Sequence, residues 1–76
     1  MENASLPGLM VPSGQFEKIT SIPVEFRYAQ KWAKEEAEMF GTEEKPLCPV
    51  VLSALTGDLE WKGNVYPHGL EITQNS

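Results

Sequence analysis

Cysteine occurs once in these 76 residues, at Cys48. An internal disulfide is therefore impossible, and a secreted scaffold stapled by disulfides is excluded. Basic residues are scarce: Lys and Arg number 6 against 11 Asp and Glu, a net charge of −5, and they form no stripe. Nucleic acids and anionic membranes attract clustered Lys and Arg, so neither is an expected partner. No apolar run approaches the roughly 20 residues of a membrane span. Met1-Glu2-Asn3 opens without the basic and apolar regions of a signal peptide, so the expected location is the cytoplasm. Glycine-rich phosphate loops are missing as well. Ser13-Gly14 and Thr56-Gly57-Asp58 lack the spacing of either phosphate-binding motif.

What is present suffices for one small core. Leu, Ile, Val and Phe together number 18, above the level of a disordered chain. A chain this short sits near the lower limit for a single unstapled domain. A substrate pocket would take much of its interior, which argues against a self-contained enzyme.

The strongest pattern runs from Pro23 to Gly41. At 100° per residue, Phe26, Tyr28, Ala29, Trp32, Ala33, Ala37, Met39 and Phe40 share one half of a helical wheel. Arg27, Gln30, Lys31, Lys34, Glu35 and Glu38 fill the other half. Ser21 is read as the N-cap, Pro23 as part of the first turn and Gly41 as the residue that ends the helix. Lys31–Glu35 and Lys34–Glu38 are i,i+4 pairs.

Glu25 and Glu36 fall inside the apolar arc. Burying either unpaired would cost several kcal/mol, so they require a border position between two stripes or a cationic mate. Phe26, Ala29, Ala33, Ala37 and Phe40 are expected on a sheet, with the alanines permitting close approach. Tyr28, Trp32 and Met39 are left for an N-terminal arm or for a partner.

Residues 1–14 carry two prolines and two glycines, a composition that predicts an extended or flexible arm, neither helix nor central strand. Its apolar Leu6, Leu9, Met10 and Val11 either pack back on the domain or enter a groove on another chain. Gln15–Ile22 reads as a first strand or an irregular lead-in. Val50–Leu55, apolar on both faces, reads as a central strand. Thr56-Gly57-Asp58 reverses the chain into Leu59–Lys62. Val65-Tyr66 and Leu70–Thr73 are shorter strand candidates. The expected architecture is α+β, one amphipathic helix packed on a small, mostly antiparallel sheet, with one domain over 15–73 and a tail over 74–76.

Cys48 and His68 are the sole nucleophile–base candidates, with Asp58 as an orienting group. Nothing beside Cys48 in sequence lowers its pKa, and one Cys with one His falls short of a zinc site. No catalytic, cofactor or metal residues are therefore assigned. The composition favours a small acidic interaction module, an adaptor, accessory subunit or inhibitor that occupies a basic surface on a protein partner. Glu35, Glu36, Glu38, Glu43 and Glu44 supply the charge, and Trp32, Trp61 and Tyr66 the aromatic anchors. The alternative is a minimal enzyme or ligand-binding domain built on Cys48 and His68.

Overall fold

A computed structural model describes residues 4–67. Strand β1 spans Ser5–Met10, β2 Phe16–Lys18, β3 Cys48–Ser53 and β4 Leu59–Lys62, and helix α1 spans Phe26–Phe40. The strands form one sheet in the order β2-β1-β3-β4, antiparallel at every pairing. The helix packs on β1 and β3, so the fold is a small α+β domain, as the patterning predicts.

The expectation that the first 14 residues form no central strand is overturned: β1 is an inner strand. The register explains how Pro7 survives there. In an antiparallel strand a residue's N–H and C=O point to the same side. The Pro7 carbonyl accepts from the Ile19 N–H at 2.7 Å, so its missing N–H also faces away from β3. Pro49 is the mirror case, its carbonyl accepting from Gly63 at 2.8 Å on the β4 side. Pro7 pairs with Val51 and Pro49 with Leu9, both positions where the β1–β3 ladder makes no bond. Its bonds run instead through Leu6–Leu52, Gly8–Val50 and Met10–Cys48, and no central bond is lost.

That alternation sorts the sheet into two faces. Leu6, Met10, Cys48, Val50 and Leu52 form a buried cluster on one, with Ala54 and Val65 packed against it. Val51 pairs with Trp61 on the other, and Lys34 of α1 lies over the Trp61 ring, so this second face carries the helix. Ala29, Ala33 and Ala37 are each 0% exposed and make the contact stripe.

Three local expectations shift. The helix starts at Phe26 with Glu25 as N-cap, without a side-chain capping bond, not at Ser21. Val24 is held by Ser5 through backbone bonds of 2.8 and 3.1 Å, which keeps the chain extended until Glu25. Phe26 and Phe40 are exposed rather than packed on the sheet, being the first and last residues of α1, beyond the ends of the buried alanine stripe. Lys34 turns to Trp61, its Nζ 5.6 Å from the ring centroid, in place of the expected pair with Glu38.

The turn at Thr56-Gly57-Asp58 forms as read. Gly57 takes φ +80, a conformation costly for any residue with a Cβ. The Ser53 hydroxyl accepts from the Leu55 and Thr56 N–H groups, each at 3.2 Å. β3 begins two residues before the expected Val50, since Cys48 and Pro49 already pair with Met10 and Leu9. Of Val65-Tyr66, only Tyr66 pairs, in an isolated bridge to Leu47. Leu70–Thr73, His68 and the tail lie outside the described residues.

Candidate functional site

Three turns of α1 present Tyr28, Trp32, Glu35 and Met39, spaced i, i+4, i+7 and i+11, on the side away from the alanine stripe. Tyr28 is 54% and Met39 69% exposed, and Trp32 is half-buried. The Tyr28 and Trp32 rings stand 5.8 Å apart at 58°, a tilted pair of the favourable kind. A shallow hollow of about 240 Å³ opens between Tyr28, Lys31, Trp32 and Glu35. Large apolar groups left in water at helical spacing are the unusual feature, since single exposed ones are common.

The flank of the helix nearer β2 forms the wall of a larger groove, about 660 Å³. Leu9, Phe16, Ile19, Phe40 and Leu47 supply its apolar lining, and Glu17, Lys18, Glu36 and Lys45 its charges. Glu36 is half-buried here, as its place in the apolar arc predicts, and neither a hydrogen bond nor an ion pair reaches it among the described residues. Glu25 instead sits exposed at the helix start. Glu35 and Glu38 are exposed on α1, and Glu43 and Glu44 are exposed in the following loop. That loop is held by Thr42, whose hydroxyl accepts from the Lys45 N–H at 2.9 Å.

Two predicted anchors lie elsewhere. Trp61 is half-buried beneath Lys34, on the β4 side of the helix and away from the groove. Tyr66 is half-buried, its backbone exchanging bonds with Leu47 at 2.7 and 2.9 Å. The structure therefore gathers Trp32, Glu35, Glu36 and Glu38 on one helix beside Glu43 and Glu44, and places Trp61 on a different flank. Of the residues lining the groove, sequence patterning selected only Glu36 as a partner-binding residue. Phe16-Glu17-Lys18, an apolar residue beside two charges after a turn, is the signal that marks β2 as an exposed edge.

Cys48 is 0% exposed, and its Sγ donates to the Gly63 carbonyl at 3.2 Å. Burial pushes the thiol pKa above its ordinary 9.0, opposed by Lys62 and the Gly63 bond. A buried thiol held protonated is unsuited to nucleophilic attack. Asp58 lies past the far end of β3, about 17 Å along an extended strand. A measurable consequence follows from the sign of the shift. Folding stability carries its full thiol contribution below pH 9.0, the unfolded value, and loses it as pH rises toward the higher folded value. Urea midpoints of the wild type should fall more steeply above pH 9 than those of Cys48→Ala, and parallel curves would refute this linkage.

Among the described residues, no group of three or more His, Cys, Asp or Glu could hold a metal ion. No helix there is long and apolar enough to cross a membrane. No protein family, characterised protein or solved structure matches this chain.

Proposed function

We propose that this protein is a non-enzymatic interaction module that binds a protein partner through the outer face and β2-side flank of α1, against a basic surface on that partner. One observation carries the reading: the C-terminal half of α1 works against its own dipole. No basic residue stands in its last turn, while Glu38 lies in that turn and Glu35 and Glu36 in the turn before it, toward the end where helix carbonyls already concentrate negative charge. That arrangement costs helix stability. It shares its surface with exposed Tyr28, Met39 and Phe40, and aromatic anchors beside acids suit a cationic protein surface. The role is that of an adaptor, accessory subunit or inhibitor acting by occupancy.

Affinity capture of the tagged chain from its native lysate, at low and high salt, tests this. The comparison is a Glu35→Lys/Glu38→Lys/Glu43→Lys variant whose fold is checked by circular dichroism. A stoichiometric partner should be retained by the wild type at low salt. Charge reversal should weaken its binding on the order of 100-fold, and salt should weaken it as well. Capture unchanged by both, or no partner at all, would overturn the reading.

A further inference from the structure

We propose that the groove between β2 and α1 takes an extended basic segment of the partner, which adds a strand to the open edge of β2 and sets a cationic side chain against Glu36. The proposal deepens the interaction reading and rests on it. β2 is an outer strand paired only with β1 among the described residues. Glu17 lies opposite Leu9, and the odd-numbered positions of this ladder bond inward, as Ile19 to Pro7 and Val11 to Gln15 do. Phe16 and Lys18 therefore turn their N–H and C=O groups outward, a template for one added strand.

The groove stands beside that edge. The side chains of an added strand alternate between the two faces, and those on the helix side enter a groove whose lining includes Phe40, Leu47 and the half-buried Glu36. The groove's own cations, Lys18 and Lys45, form no ion pair with Glu36 among the described residues. A carboxylate kept part-buried in an apolar cleft is a position for a charge-assisted bond from Arg or Lys. Charge selects the occupant. Glu17 and Glu36 in the groove balance its two lysines, and the exposed Glu43 and Glu44, next to Lys45 in the adjoining loop, tip the balance to acid, which favours a basic segment over an acidic one or a second copy of this chain, itself at −5.

The test uses the full chain and a pool of blocked octapeptides alternating Arg with a mixed Val, Ile, Leu or Phe position. Amide hydrogen exchange is followed by NMR and affinity by fluorescence anisotropy. The Phe16 and Lys18 amides should exchange at least about tenfold more slowly with peptide, with no change at Glu17, which already bonds inward. Glu36→Gln should weaken the pool about tenfold, and N-methylation of alternate peptide amides should abolish protection. Protection by a Glu-containing pool, unchanged affinity in Glu36→Gln, or binding without protection at Phe16 and Lys18 would each overturn the proposal. So would protection that grows with protein concentration alone, which would assign the edge to a second copy. If charge reversal at Glu35, Glu38 and Glu43 abolishes capture while the pool protects nothing, the interaction reading stands and the groove proposal falls.

Discussion

Ala33→Leu is expected to lower folding stability by about 3 kcal/mol, although leucine and alanine are both strong helix formers. The loss is a test of the helix–sheet gap rather than of the helix. Ala33 is the middle of three fully buried alanines, and the sheet face beneath them includes Pro7, Pro49 and Val51, all buried. Three added carbons have no void to enter, so α1 must lift or the strand beneath must shift. A chain of this length has roughly 4–11 kcal/mol to lose, and the substitution removes a large share of it. Urea unfolding followed by Trp fluorescence measures the change. Lys34→Leu, one position along and outside the stripe, serves as the control and should change stability by well under half as much. Equal effects at both positions would show that the alanines do not set the gap.

Gly41→Ala should cost about 2–3 kcal/mol, for a reason different from the usual one at a helix end. Gly41 ends the helix as read, but with φ −73 and ψ 135, a conformation open to any residue and not a left-handed cap. Glycine is needed for space. A Cβ at this position would lie 2.6 Å from the carbonyl oxygens of both Ala37 and Tyr66. Both are backbone atoms, one in the last turn of α1 and one in the bridge to Leu47, and neither can swing aside as a side chain would. The Gly41 N–H also closes the helix on Ala37 at 2.8 Å, so relief of the clash would break that bond. Thermal unfolding of Gly41→Ala beside Gly14→Ala separates the two kinds of glycine. Gly14 has φ +98 and open space where a Cβ would stand, which leaves only the smaller backbone strain. A Gly41→Ala protein as stable as the wild type would refute the steric account.

Much of the fold was legible in the residues themselves, because it depends on periodicity. The alanine spacing at 29, 33 and 37 declares the buried stripe of α1, and Val50–Leu55 declares an inner strand, although β3 ends at Ser53. Thr56-Gly57-Asp58 declares the reversal into β4. The position of Glu36 between Trp32 and Phe40, at i−4 and i+4, announces a half-buried carboxylate. β1 was not legible. Pro7-Gly8 reads as a strand breaker, and only the pairing register shows that neither proline removes a bond from the β1–β3 ladder. The groove was equally hidden, since its walls come from residues 9–19 and 36–47, distant in sequence and adjacent only after β1 has paired.

By itself, the amino-acid sequence determined helix α1, the strands β3 and β4 with the turn between them, and their amphipathic faces. It also determined an acidic surface without a basic stripe, because charge and apolar periodicity are properties of neighbouring residues. The tertiary structure alone decided that the N-terminal segment is an inner strand, that Phe26 and Phe40 stand outside the core, and that Glu36 faces a groove beside an open edge. Those outcomes depend on which strands meet and in which register, and on where the buried alanine stripe ends along α1. They are long-range choices, settled by packing among segments that no local pattern connects.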